Sequence, residues 1–214
     1  MKKACLLVLF CCSLVAPSAA RANLITNGNF EANGGSLNGW ATSGDVRAMP
    51  AGAFASLQGM NGNFALLGLG ITDGSSSLAQ SFTVAGLNFL KISFDWAFDF
   101  WDNSPNADDN FLSLLTETGA TVNQITFLDL TTDTNLIGVK HGHYQDVVDI
   151  SAYSSAAVSF YLVEGSDLPL LTGTGSVVGI DNVQVCDPVP EPSTLLLLAT
   201  GLAGLGGLCR RRKG

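Results

Sequence analysis

Short runs in which apolar and polar residues alternate recur through the middle of the chain. In one of them Ile92 and Phe94 would share a face, with Ser93 and Asp95 on the other, which is the two-residue period of a half-buried strand. No long helical period interrupts these runs between residues 23 and 188. The pattern predicts ten strands, at residues 24–30, 40–46, 64–67, 78–84, 90–98, 111–115, 124–130, 144–150, 157–163 and 177–185.

Turn-forming residues separate the predicted strands. Glycine and asparagine tolerate the backbone angles that tight turns require. About ten short strands at this spacing predict an all-β fold, an antiparallel β-sandwich of two sheets. The turn segments are Asn33-Gly34-Gly35, Asn61-Gly62-Asn63, Asp73-Gly74 and Gly173-Thr174-Gly175.

The first 22 residues have the features of a secretory signal peptide. Lys2 and Lys3 precede an apolar stretch at residues 4–16, and Ala20 and Ala22 are the small residues that a signal peptidase reads. We expect cleavage after Ala22. The alternative is a retained N-terminal anchor, although the apolar stretch is short for a membrane span.

The other end of the chain predicts a membrane-inserted tail. Val189-Pro190-Glu191-Pro192 precede an apolar stretch at residues 195–209, and a basic cluster at residues 210–213 follows. At about 1.5 Å per residue this stretch would span roughly 20 Å, which is marginal for a hydrocarbon core of about 30 Å. The basic cluster would stay on the cytoplasmic side. The predicted organisation is therefore a signal peptide at 1–22, the sandwich at 23–187, and a tail with a transmembrane helix at 188–214.

This tail resembles the PEP-CTERM protein-sorting tail of Gram-negative bacteria, which is also described as an ice-binding-protein C-terminal domain. The resemblance implies that Val189, Pro190, Glu191 and Pro192 are read by an exosortase, an integral-membrane cysteine protease-transpeptidase that cuts the tail. It further implies a chain that is exported, transiently anchored in the inner membrane, and then placed on the cell surface or released, often into a polysaccharide biofilm matrix. The alternative is a plain single-span anchor behind a proline-rich linker.

Charge and cysteine content narrow the possibilities for the middle of the chain. Between residues 23 and 188 there are three basic residues against seventeen acidic ones, a net charge of −14. Such a surface repels nucleic acid and anionic lipid. Cys186 is the single cysteine in this part, which excludes an internal disulfide, so the sandwich must be held by packing.

The first and last predicted strands resemble those of galactose-binding-like jelly rolls, a group that includes carbohydrate-binding modules. The segments that carry the resemblance are residues 23–31, 143–146, 149–153 and 179–185. It implies a jelly roll in which Glu31 and Asp181 help to hold one structural calcium ion, and calcium favours oxygen ligands of this kind. The alternative is that both acids are solvated beside a turn.

Residues 95–109 combine aromatic and acidic residues more densely than any other part of the chain. Exposed aromatic rings stack on sugar faces, and carboxylates and amides bind hydroxyls, so Trp101, Asp102 and Asn103 form a candidate ligand platform. Two alternatives stay open. A cation would use Asp99, Asp102, Asp108 and Asp109, whereas a purely structural segment would bury Trp96, Phe98 and Phe111 and leave the acids solvated.

A second and weaker candidate is His141-Gly142-His143, whose two imidazoles would share one face of a strand. With Asp146 they would make an incomplete zinc site, because no further ligand stands at a firm spacing.

The chain lacks the motifs of common enzymes, including G-x-S-x-G, H-E-x-x-H and a phosphate-binding glycine loop. The sequence therefore predicts a non-enzymatic exported surface or matrix protein that binds extracellular polysaccharide or calcium. The alternative is an extracellular hydrolase acting on polysaccharide, since a pair of carboxylates from distant positions would suffice. A third hypothesis is calcium-dependent adhesion between cells.

Overall fold

The computed structural model of the chain describes residues 23–68, 74–101, 109–118, 123–131, 137–164 and 175–188. These contain ten strands: β1 (Ala41–Ser43), β2 (Val46–Pro50), β3 (Asn63–Leu67), β4 (Gly74–Thr83), β5 (Phe89–Trp101), β6 (Asn110–Glu117), β7 (Gln124–Thr131), β8 (Ile137–Asp149), β9 (Ser155–Glu164) and β10 (Val177–Cys186). A short 3-10 helix at Ala32–Gly34 is the one helical element in the described part of the chain.

The strands form two five-stranded sheets. The back sheet has the order β1-β4-β9-β6-β7 and the front sheet has the order β2-β3-β10-β5-β8. Every pairing between these strands is antiparallel. The predicted all-β antiparallel sandwich is therefore confirmed.

Alternation along the strands builds the main core between the sheets. On β5, Ile92, Phe94 and Phe98 point inward and are fully buried. The Phe94 ring lies edge-on to Phe160 of β9, at 5.0 Å between ring centroids, so the two sheets are joined by aromatic contacts at their centre.

A second, smaller core lies on the outer face of the front sheet. Leu57 and Met60, from the connection between β2 and β3, pack there against Phe64, Leu66 and Ala97. Strand β3 is therefore buried on both faces, because its intervening residues belong to the main core. This connection brings residues 51–62 over the middle of the front sheet, where they border the candidate site.

The strand predicted at residues 24–30 is wrong. Asn27 and Phe30 have positive φ angles of 53° and 55°, which no extended strand contains. The segment instead bends along β10 and keeps two backbone hydrogen bonds to it, from Leu24 N to Val185 O at 2.7 Å and from Val183 N to Gly28 O at 2.8 Å.

Two further strand predictions need correction in their bounds. Residues 40–46 form two strands, because Gly44 turns the chain between β1 and β2 with a φ of 72°. Strand β8 begins at Ile137, well before the predicted start at residue 144. Its alternation is interrupted by Gly138 and Gly142, which lie beside the rings of Phe100 and Trp96, so aromatic groups from β5 fill the positions of the missing side chains.

Residues Asn23–Asp187 form one compact unit. No helix within the described ranges is long and apolar enough to cross a membrane. The predicted signal peptide at 1–22 and the tail beyond Pro188 lie outside the described residues, and the proposed domain boundaries stay predictions.

Candidate functional site

A row of polar side chains crosses the outer face of the front sheet from β10 through β5 to β8. We call Asp181, Asn182, Asp95 and His143 the polar row. Asn182 Nδ2 donates a hydrogen bond to Asp95 Oδ2 at 2.8 Å, and Asp95 Oδ1 lies 2.6 Å from His143 Nδ1. The row links three neighbouring strands through side chains in addition to the backbone ladder.

A β-bulge in β10 aims Asn182 along this row. The register with β5 shifts between Asp181 and Gln184, and Asn182 has a φ of 52°. Asparagine tolerates this left-handed conformation better than most residues, and a bulge re-aims the side chain that it carries. The Ile180-Asp181-Asn182 sequence therefore supplies both a buried acid and the residue that turns toward β5.

Asp95 and His143 stand directly opposite each other in the β5–β8 register. Their side chains are 24% and 54% exposed. Exposed ion pairs contribute at most about 1 kcal/mol to folding, so this contact orients the two groups more than it stabilises the sheet. Asp95 consequently presents a carboxylate at the surface in a fixed position.

Asp181 is the buried member of the row, with 1% of its surface exposed. Its Oδ2 accepts a hydrogen bond from Asn61 N at 3.1 Å, and its Oδ1 accepts one from Asn182 N at 2.7 Å. Burial, together with the nearby charges of Asp95 and Glu31, raises the pKa of the Asp181 carboxyl to about 6. Together they raise this pKa more than the two backbone hydrogen bonds lower it.

Glu31 binds the turn at residues 61–63, whose first residue is the one that Asp181 contacts. Its Oε1 accepts a hydrogen bond from Asn63 N at 2.5 Å, and its Oε2 accepts one from Asn63 Nδ2 at 2.6 Å. Gly62 stands between the two attachment points with a φ of 60°, and a side chain there would press on the Glu31 carboxylate. Glu31 and Asp181, which lie far apart in the chain, therefore hold the two ends of residues 61–63.

The predicted calcium ligands fit a divalent cation in donor chemistry and in charge. Glu31 and Asp181 both supply carboxylate oxygens, and their mutual repulsion contributes to the raised pKa of Asp181. The described part of the chain brings no group of three or more His, Cys, Asp or Glu side chains together around one point. An ion held by these two acids would therefore complete its six to eight ligands with carbonyl oxygens and water.

A cleft of about 160 Å³ opens beside the polar row, between the 51–62 connection and the strands β5 and β8. Pockets for drug-sized ligands usually measure 300 Å³ or more, so this cleft suits part of a larger molecule, such as the edge of one sugar ring in a chain. It is lined by Gln58, Gly59, Met60, Asp95, Trp96, His141 and Gly142.

The predicted ligand platform falls mostly outside the described residues. Trp101 is the last residue of β5, but its side chain is not described, and Asp102 and Asn103 follow it in the undescribed segment. The structural alternative receives support from Phe98 and Phe111, which are fully buried. The same alternative expects the acids to be solvated, which is wrong for Asp109. This residue is fully buried, and its carboxylate accepts a hydrogen bond from the Ser176 hydroxyl.

The histidine pair is only partly assembled as predicted. His141 and His143 share the outer face of β8, whereas Asp146, an odd number of positions away, lies on the opposite face. His143 is committed to Asp95, and His141 borders the cleft. A zinc site using Asp146 is therefore ruled out by the strand geometry.

Sequence reasoning missed the residues of the 51–62 connection and the role of Asn182. Gln58 and Met60 stand in a segment without periodicity, and nothing in the sequence indicates that it folds over the front sheet. Asn182 carried a usable signal, because asparagine tolerates the left-handed conformation that an irregularity within a strand requires.

The chain has the fold of a two-sheet antiparallel β-sandwich, and solved structures that share this fold include carbohydrate-binding modules. The chain resembles the structure of TmCBM61 in complex with beta-1,4-galactotriose, with a TM-score of 0.50 and 14% sequence identity over 78% of this chain and 99% of that one. It also matches a family 16 carbohydrate-binding module, with a TM-score of 0.45, 17% identity and coverage of 76% and 99%. The enzymatically active domain of the bacteriophage CBA120 tailspike protein 4 matches with a TM-score of 0.46, 15% identity and coverage of 77% and 21%.

At its end the chain carries a PEP-CTERM protein-sorting motif, at residues 188–213. This motif indicates export and sorting by an exosortase, which confirms the resemblance seen in the sequence. No curated protein matches the chain.

Proposed function

We propose that the chain is an exported, non-catalytic glycan-binding protein that an exosortase delivers to the cell surface or the surrounding matrix. The observation that supports it most is the cleft beside Asp95 on a sandwich whose fold resembles that of carbohydrate-binding modules, in a chain with a sorting motif. A calcium ion held by Glu31 and Asp181 would steady the 61–63 turn at the edge of this surface.

Sorting would depend on the Val189-Pro190-Glu191-Pro192 segment. Prolines hold the chain extended and remove backbone donors, which suits presentation to a membrane protease. In a host that contains the exosortase, we expect Glu191→Ala with Pro192→Ala to leave the chain uncut in the membrane fraction. Ser193→Ala, just beyond these four residues, is the control. Fractionation and electrophoresis show whether the chain is cut. If the double variant is cut as the wild type is, this part of the proposal is refuted.

The cleft chemistry favours neutral sugars. Gln58, Asp95 and His141 would exchange hydrogen bonds with hydroxyls, while Met60 supplies an apolar contact. The acidic surface disfavours anionic polysaccharide. Since TmCBM61 was solved with beta-1,4-galactotriose, a β-1,4-galactan oligosaccharide is a sensible first probe, with xylan and a glycan array beside it.

Substitutions in the cleft test this proposal directly. We expect Gln58→Ala and His141→Ala each to weaken binding of the responsive glycan about tenfold in titration calorimetry, since each removes a hydrogen-bonding group. Gln124→Ala, at an exposed position of the back sheet, is the matched control and should leave affinity unchanged. Absence of binding to every neutral glycan on the array would overturn the proposal.

The hydrolase alternative is less well supported. An acid with a pKa near 6 suits general acid catalysis, but Asp181 is buried and does not line the cleft, whereas Asp95 does. A reducing-sugar assay distinguishes the two functions. If the wild type releases reducing sugar and Asp95→Asn does not, the chain is an enzyme.

A further inference from the structure

The edge strand β8 differs from the other three edges of the sandwich. β1 has three residues, β2 has five and ends in Pro50, and β7 is bulged at Phe127. Short length, proline, bulges and charged side chains are the devices that prevent edge strands from pairing with another chain. β8 is neither short nor bulged nor interrupted by proline: it pairs thirteen residues with β5 without any shift in register. It carries charged residues, Lys140 and Asp146, but these are of opposite sign.

The free edge of β8 is also accessible and partly apolar. β5 is its one partner strand within the described residues. Val139 and Val147 are 41% and 51% exposed on the outer face, and Lys140 and Asp146 are exposed on the other. A long edge strand with exposed valines is a template for a further strand.

We propose that two copies of this chain pair antiparallel along β8, about a two-fold axis at His143. In that register Val139 of one copy faces Val147 of the other, and Lys140 faces Asp146. Both contacts occur twice because of the symmetry, so the edge is complementary to itself in apolar contact and in charge. The two front sheets would join into one continuous sheet.

This register is distinguished from its neighbours by the side chains that meet. Strands can slip only in steps that keep each side chain on its own face. A shift in one direction sets Lys140 against Tyr144 and Val139 against Gln145. A shift in the other sets Lys140 against Val148 and Val139 against Asp149. Neither keeps an ion pair or a valine pair, so the two-fold at His143 is the favoured arrangement.

Lys140 is one of the few basic residues in an acidic domain, so its place on this edge favours a contact with an acidic group there. Only three basic residues stand between residues 23 and 188, and one of them lies on this edge. Lys140 Nζ is held 5.4 Å from the centre of the Phe100 ring, close to the seam. Two acidic domains repel each other in general, and opposite charges at the contact offset that repulsion locally. At the axis each His143 keeps its own Asp95 partner.

The experiment uses two differently tagged copies of the full-length chain, solubilised in a mild detergent and mixed. We expect one tag to recover the other copy for the wild-type chain. Lys140→Asp mixed with itself, and Asp146→Lys mixed with itself, place like charges in contact and should lower recovery at least tenfold. Mixing Lys140→Asp copies with Asp146→Lys copies restores two attractive pairs and should restore recovery.

Lys91→Asp is the matched control, because this charge reversal on β5 lies off the edge and should leave recovery at the wild-type level. Circular dichroism confirms that each variant is folded. The proposal is overturned if wild-type copies do not recover each other, if either charge variant still pairs with itself, or if the mixed variants fail to pair. Since no glycan takes part, these results are independent of the proposed glycan binding.

Discussion

Replacing Gly28 with alanine will destabilise the domain by about 3 kcal/mol. A β-carbon at this position would lie well inside contact distance of the Val183 carbonyl oxygen and 3.0 Å from the carbonyl carbon. Both are backbone atoms of β10 and cannot move aside cheaply. The bend at 24–30 would have to separate from β10 and lose the hydrogen bond from Val183 N to Gly28 O.

Gly142→Ala provides the control for this prediction. A β-carbon there would be 3.3 Å from ring atoms of Trp96, a tight contact with a side chain and not with backbone. We expect its effect to stay within about 1 kcal/mol. Urea unfolding followed by tryptophan fluorescence measures both variants, and equal stabilities for the two would show that the contact between Gly28 and β10 is unimportant.

Local hydrogen bonds explain why the strand predicted at residues 24–30 is wrong. Ile25 and Phe30 are both buried, although residues five positions apart would lie on opposite faces of an extended strand. Asn27, however, uses its side chain to accept a hydrogen bond from Ala32 N and to donate one to Ser36 O, which favours a tight bend over a ladder. Periodicity reports which residues are buried, and it does not report whether the backbone stays extended between them.

The sandwich itself was predictable because its strands are short alternating or wholly apolar runs separated by turn-forming residues. Seven of the ten predicted strands overlap a single observed strand closely. Burial alternates along β4, whereas β3 is an apolar run buried on both faces. β8 was predicted short because Gly138 and Gly142 carry no side chain, and only the folded structure shows that Phe100 and Trp96 fill those positions.

The candidate site was less predictable because it is assembled from distant segments. The resemblance pointed to Glu31 and Asp181, and both do hold the 61–63 turn. Residues 61–63 were recognised only as a turn, since no local signal tells where a turn will dock. The cleft depends on Leu57 and Met60 packing on the outer face of the front sheet, a tertiary contact that composition does not encode.

Asp181→Asn will change how stability depends on pH. The pKa of Asp181 is raised to about 6 in the folded domain from an ordinary value of 3.8. Below pH 3.8 the carboxyl is protonated in both states. Between pH 4 and 6 the folded state binds more protons than the unfolded state, so the contribution of Asp181 to stability falls as pH rises. Two pKa units correspond to a loss of roughly 2–3 kcal/mol, and solvent screening makes about 2 kcal/mol the expected size.

The measurement is the difference in unfolding free energy between Asp181→Asn and the wild type, in EDTA, at pH 4 and pH 7. Asparagine has a single acceptor oxygen for Asn61 N and Asn182 N, so the variant carries a cost at every pH. That cost should shrink by about 2 kcal/mol between pH 4 and pH 7, because only the wild type acquires a buried charge. A difference that stays constant with pH would show that Asp181 titrates normally.

Calcium should act through the same buried carboxyl group, that of Asp181. An ion bound by Glu31 and Asp181 would neutralise their repulsion and favour the ionised carboxyls, so millimolar calcium should raise the unfolding temperature of the wild type at pH 7. It should have little effect on Asp181→Asn, which lacks the buried charge. Gly142→Ala keeps both acids and should respond as the wild type does. If EDTA and calcium leave the wild-type unfolding temperature unchanged, Glu31 and Asp181 hold the 61–63 turn through hydrogen bonds alone, and the predicted calcium site is absent.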